Sequence, residues 1–200
     1  MKILIIAEGR TGGTTLMEYL SNQLIGHTLI TEPYTNTETG WVKNNNMLDI
    51  VWLNKFDNFI IKEIFKPEYD FTNLIRECDK VFCVYRENWY EQTKSVLYAE
   101  QVGFIRDYSI EEVNKVVTDN MIFERNSKEN KKIKKIFKNF IKKNKFISVT
   151  YEDLYYGNGI NIVKKYLNVE FINDFPPVKR YLKDSNGNPF TPEIIKEKLI

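Results

Sequence analysis

The first twenty residues constrain the fold of this chain more than any other stretch. Residues 2–7 form an apolar, β-branched run of strand length, and residues 9–15 are rich in glycine and hydroxyl side chains. Leu16, Tyr19, Leu20 and Leu24 then recur at helical spacing. The pattern predicts a strand, a tight loop and a helix in immediate succession. Such a junction is an anion site, because loop and first-turn N–H groups have no intrahelical partners and the helix dipole brings positive potential to the same point. Gly12 and Gly13 let the backbone bend and let a phosphate approach with no Cβ in the way. Arg10 adds a charge that cannot be titrated away.

Further strand patterns fall at 28–31, 59–65, 80–85 and 146–150. Helical patterns fall at 47–53, 71–78, 88–101, 111–143 with a break near Asn126 and Ser127, and 160–167. Strands alternating with helices predict an α/β domain with a mainly parallel central sheet flanked by helices. Ligands of such sheets sit beyond the carboxyl ends of the strands. That rule gathers the first loop, Glu32, Lys62, Glu63 and Arg86 along one edge, although they are far apart in sequence. At 200 residues the chain is expected to be one domain, 1–200, with a polar, proline-containing tail from 170 to 200.

Several function classes lose support at this level. A net charge of +2 gives no ground for nucleic-acid binding. The nine lysines between Lys128 and Lys145 read as the solvated face of an amphipathic helix whose apolar stripe is Ile133, Ile136, Phe137, Phe140 and Ile141. Cys78 and Cys83 lie on or beside one extended segment, should point to opposite faces, and read as reduced thiols with no zinc spacing. His27, the sole histidine, reads as an exposed helix-end residue, and one histidine leaves neither a zinc set nor a His-based triad. The N-terminal apolar run stops at Glu8 and Arg10, too short for a signal peptide or a membrane span. A soluble, cytoplasmic protein is expected.

The first loop does not complete the Walker A pattern, G-x-x-x-x-G-K-[ST]. Started at Gly9 it meets Thr14, Thr15 and Leu16 where a glycine, a lysine and a hydroxyl are required. Started at Glu8 it recovers Gly13 and Thr15 but places Thr14 at the lysine. No apolar strand ends in an Asp that would hold magnesium, so a nucleotide triphosphatase is disfavoured.

Gly9-Arg10-Thr11-Gly12-Gly13-Thr14-Thr15-Leu16 resembles instead the 5′-phosphosulfate loop of sulfotransferases that use 3′-phosphoadenosine 5′-phosphosulfate, PAPS, in which a basic residue precedes [Ser/Thr]-Gly-x-Thr. Val84-Tyr85-Arg86, followed by Ser95 on the next helix, resembles the family's 3′-phosphate motif, at a spacing one residue longer than the commonest form. Thr93 and Lys94 are alternatives to Ser95. Val149-Thr150-Tyr151-Glu152-Asp153-Leu154 resembles a strand-end sequence of the same family. The resemblance runs from residue 1 to about 155, in the family's order. It implies a P-loop-like three-layer domain and binding of PAPS and its product PAP through Arg10, Thr11, Gly12, Gly13, Thr14, Thr15, Arg86 and Ser95. It also implies that a basic C-terminal segment, here Lys179 and Arg180, closes over the cofactor. No metal is implied, because the departing phosphate already leaves readily.

An acceptor hydroxyl needs a general base near the loop. Phe59-Ile60-Ile61-Lys62-Glu63-Ile64 resembles the strand that precedes the catalytic His of cytosolic relatives, but Ile64 stands where the His would be. Carbohydrate-directed relatives use a Glu, which makes Glu32 in Thr31-Glu32-Pro33 the expected base, with Glu63 in reserve and Lys62 orienting the sulfuryl group. Residues 34–46, with Tyr34 and Trp41, and residues 103–108 are expected to wall the site for a small-molecule or carbohydrate acceptor. A divergent P-loop kinase of a small metabolite and a non-catalytic anion binder are the competing readings.

Overall fold

The computed structural model describes residues 1–34, 42–43, 47–48, 51–102 and 120–176. In chain order the elements are β1 (Lys2–Ala7), α1 (Gly13–Gln23), β2 (Thr28–Thr31), β3 (Val42–Lys43), β4 (Met47–Leu48), a 3₁₀ turn (Val51–Lys55), β5 (Phe59–Ile64) and α2 (Thr72–Arg76). They continue with β6 (Lys80–Tyr85), α3 (Trp89–Val102), α4 (Asn120–Asn144), β7 (Ile147–Thr150), α5 (Tyr151–Tyr156) and α6 (Gly159–Leu167). Five strands form one sheet in the order β2-β5-β1-β6-β7, every neighbour parallel. The fold is α/β, and a parallel sheet flanked by helices is consistent with a P-loop-like three-layer domain.

Both faces of the sheet are covered, which is why its central strands read as continuous apolar runs. Along β1 the side chains alternate between two cores. Ile3, Ile5 and Ala7 join Leu16, Met17 and Leu20 of α1 and Val163 and Leu167 of α6. Leu4 and Ile6 join Phe59 and Ile61 of β5, Leu74 of α2 and Phe137 and Ile141 of α4. The stripe Ile133, Ile136, Phe137, Phe140 and Ile141 thus covers the face of the sheet opposite α1.

Four local expectations are corrected. Residues 47–48 pair as a strand with Val42–Lys43, and a 3₁₀ turn follows at Val51–Lys55, where a helix was expected over 47–53. Helix α4 runs unbroken through Asn126 and Ser127, because packing of its apolar stripe outweighs the weak helix propensity of those two residues. The strand ends at Thr150 as expected, but Tyr151 directly opens helix α5, where no helix was expected. Thr150 caps it reciprocally with Asp153, the Asp153 N–H donating to Thr150 Oγ1 at 2.9 Å. Cys78 and Cys83 are free thiols that pack into the same core, because Cys78 precedes β6 and escapes its alternation. Burial pushes the Cys78 thiol up to about 12 and raises that of Cys83 as well.

Among the described residues no helix is long and apolar enough to cross a membrane.

Candidate functional site at the carboxyl edge of the sheet

The loop between β1 and α1 lies at the carboxyl end of the central strand, as an open parallel sheet requires of a ligand site. Its turn is made by two departures from ordinary backbone on either side of Thr11: Arg10 with φ 62° and Gly12 with φ 79°. The Thr11 hydroxyl donates to Glu8 O at 2.7 Å and holds the turn from inside. Gly12 is the N-cap of α1, so no side chain occupies the capping position, and the first turn carries no acidic residue. A Cβ on Gly13 would lie 2.7 Å from Ala7 Cβ and 3.5 Å from Lys62 Cε, which explains why the helix begins on a glycine. A Cβ on Gly12 would lie 3.0 Å from the ring of Tyr155, so this tyrosine of α5 borders the loop.

Lys62 and Glu32 meet beside that loop. Lys62 is the fourth residue of β5, and its stem passes Gly13 while its Nζ donates to Glu32 Oε1. Glu32 follows β2 directly, and its N–H donates to Lys62 O at 2.7 Å, extending the parallel ladder by one bond. Among the described residues four that are not glycine have positive φ: Arg10, Glu32, Lys145 and Asn168. The last two follow helix ends, where left-handed backbone is routine. Arg10 and Glu32 have no such excuse, and uncommon backbone held in place by its surroundings concentrates at functional sites.

Strand alternation separates the two glutamates weighed as a base. Lys62 has the parity of Ile60, on the α1 face, whereas Glu63 has the parity of Phe59 and Ile61, on the α4 face. Glu63 is fully buried there and its carboxylate accepts the N–H groups of Tyr34 and Ile64, each at 2.7 Å. Its role is to tie the chain after β2 onto β5. Burial raises its carboxyl to about 7 against the two backbone bonds that lower it. The folded chain therefore holds a proton that the unfolded chain has released above about 4.5, so this group costs stability as pH rises from about 4.5 to about 7. Urea denaturation from pH 5 to pH 8 is expected to show a fall in stability that Glu63→Gln makes shallower; parallel pH profiles for the two proteins would refute the assignment.

Arg86 follows β6 directly, and its guanidinium stacks on Tyr151 with 4.3 Å between its central carbon and the ring centroid. Its Nε is 3.9 Å from Glu152 Oε1, too far for a hydrogen bond, and is buried without an acceptor. A buried guanidinium N–H without an acceptor is a place for an anionic oxygen. Ser95, on α3, accepts the Arg10 Nε–H at 3.0 Å, which joins the loop to the helix that follows Arg86. Of its alternatives, Thr93 donates to Trp89 O at 2.8 Å and accepts from Asn130 Nδ2 at 2.9 Å, so it serves the packing of α3 on α4. Lys94 pairs with Glu91 at 3.3 Å.

Other expected site residues fall elsewhere. Tyr34 is not an acceptor wall: it is 3 % exposed, stacks on Tyr69 at 4.8 Å between centroids and donates its hydroxyl to Asp70 O. His27 is half-buried rather than exposed, with its Nδ1 2.9 Å from Leu24 O. Trp41, residues 103–108, Lys179 and Arg180 lie outside the described residues.

Five residues near the site were not anticipated. Glu8 is buried at the end of β1, and its Oε2 accepts from Arg86 N at 3.5 Å and Gln92 Nε2 at 3.4 Å. Gln92 Nε2 also donates to Gly9 O at 2.9 Å. Glu152 accepts the N–H groups of Glu87 at 3.0 Å and Asn88 at 3.1 Å. Tyr155 borders Gly12. Lys134 is the exception to the solvated lysine face: it is 8 % exposed and its Nζ donates to Arg86 O. A glutamate directly after an apolar strand, and a lysine three and seven residues before Phe137 and Ile141, are the signals that the sequence carried for Glu8 and Lys134.

No family model and no curated protein matches the chain.

Proposed function

We propose that the chain is a PAPS-dependent sulfotransferase that moves a sulfuryl group to a hydroxyl of a small-molecule or carbohydrate acceptor. The observation that carries the reading is the convergence of three distant segments on one sheet edge: the uncapped glycine loop with Arg10, the Arg86 turn with its unsatisfied guanidinium N–H, and the Lys62–Glu32 pair against Gly13. The first two suit a donor with phosphate groups at two separated positions, which PAPS has and ATP lacks.

The chemistry asks little beyond positioning and charge stabilisation. The acceptor oxygen attacks sulfur in line, the bond from sulfur to the bridging oxygen of the 5′-phosphate breaks, and PAP departs with the electron pair. Glu32 takes the acceptor proton, Lys62 holds Glu32 and the equatorial sulfuryl oxygens, and Arg10 with the N–H groups of residues 12–15 stabilises the departing phosphate. In the same reading Lys179 and Arg180 close over the donor. A cytoplasmic location belongs to the same reading.

The test is ligand-dependent melting followed by transfer of label from [³⁵S]PAPS to a panel of phenols and sugars. PAP at about a hundred times its Kd is expected to add about 2.7 kcal/mol, or about 5–10 °C. Stabilisation by Mg-ATP with no response to PAP would overturn the reading in favour of a kinase. A PAP response with no transfer to any acceptor would make the chain a binder.

A further inference from the structure

The backbone of the turn that carries Arg86 is held from three other parts of the fold. The Arg86 N–H faces Glu8 Oε2 at 3.5 Å, from the end of β1. Arg86 O accepts from Lys134 Nζ of α4, which also lies 3.4 Å from Glu87 O. The N–H groups of Glu87 and Asn88 donate to the two oxygens of Glu152 on α5. Gln92 closes the circuit, because one nitrogen reaches both Glu8 Oε2 and Gly9 O, the first residue of the glycine loop.

Stability alone does not account for this arrangement. Burying an ammonium and a carboxylate costs several kcal/mol before their attraction is counted, and a Met or Leu at either position would cover the sheet without that cost. Burial raises the Glu8 carboxyl against the pull of Lys134, and burial lowers the Lys134 amine against the pull of Glu8. A strand-to-helix turn at a sheet edge can satisfy its backbone with water. Here it is tied instead to the residue that opens the anion loop, so the two halves of the site cannot drift apart independently.

We propose that Lys134, Glu8 and Gln92 are positioning residues that fix Arg86 at a set distance from the glycine loop, and so create the preference for a ligand with two phosphate groups over one with the 5′-phosphate alone. The inference rests on the sulfotransferase reading for the identity of that ligand. None of the three needs to touch it. Lys134 acts on the Arg86 carbonyl, Glu8 on the Arg86 N–H, and Gln92 ties α3, the helix that follows Arg86, to Glu8 and to the Gly9 carbonyl.

The experiment is calorimetric titration of the full chain with PAP and, separately, with adenosine 5′-phosphate, for wild type, Lys134→Met and Gln92→Leu. Lys134→Met keeps the buried stem and removes the donors; Gln92→Leu cuts the link on the loop side and stands in if the first variant does not fold. Each variant is expected to weaken PAP at least tenfold while adenosine 5′-phosphate changes by less than about threefold, collapsing the affinity ratio. Equal weakening of both ligands would mean a merely structural role and would overturn the inference. A wild-type preference for PAP that survives both substitutions overturns this inference alone, whereas a wild type with no preference for PAP overturns the sulfotransferase reading with it.

Discussion

At a PAP concentration that raises the melting temperature of the wild-type chain by about 5–10 °C, Arg86→Ala is expected to leave a rise of only about 1 °C. The guanidinium would supply two charge-assisted hydrogen bonds to the 3′-phosphate, worth about 1.5 kcal/mol each or more. A loss of about 3 kcal/mol is slightly more than a hundredfold in Kd. At the same ligand concentration the remaining stabilisation is then about 0.3 kcal/mol. The variant's own unliganded melting temperature is the reference, because Arg86 also stacks on Tyr151 and pairs with Glu152, contacts worth about 1 kcal/mol together. Arg86→Lys is expected to recover only part of the response, since an ammonium on a flexible stem cannot reproduce the fork. An undiminished PAP shift in Arg86→Ala would reduce this residue to an ion-pair partner of Glu152.

The second large effect concerns turnover rather than binding. Glu32→Gln keeps the size of the side chain and its ability to accept from Lys62 but removes the carboxylate that takes the acceptor proton. Sulfuryl transfer is expected to fall by about 10²–10⁴, while the PAP-induced melting shift stays within about 1 °C of the wild-type shift. Glu63→Gln is the internal control. Glu63 lies on the opposite face of β5 and spends both oxygens on backbone N–H groups, so its neutralisation should change turnover less than about threefold. A large loss in Glu63→Gln with none in Glu32→Gln would reverse the assignment. A Glu32→Gln variant that loses PAP binding as well would show that the Lys62–Glu32 pair shapes the donor site and not the acceptor side.

The strand–loop–helix junction was legible because everything that defines it is local: a period change from strand to helix, two glycines and the arginine before them. The parallel sheet was legible for a related reason, since strands and helices alternate along the chain and parallel neighbours require crossovers. Glu32 and Arg86 could be placed at one edge because each directly follows a strand. The helix at Tyr151 was missed although Thr150 and Asp153 form a capping box in plain view. Residues 149 to 154 serve at once as the end of β7 and the capped start of α5, and only the capping chemistry distinguishes the second role.

By itself the amino-acid sequence determined the α/β class and the glycine loop between β1 and α1, and it placed Lys62 and Glu63 at adjacent positions of one strand. Which of the two faces carries the loop was decided only when α1 packed against β1 and β5, since strand parity is a relative quantity. Tertiary structure also decided that Tyr34 is core, that one lysine in nine is buried beneath Arg86, and that Glu8 and Gln92 join the loop to the Arg86 turn. These are contacts between residues up to 84 positions apart. Periodicity reports which side of its own element a residue occupies. What lies across from it is settled by how the elements stack.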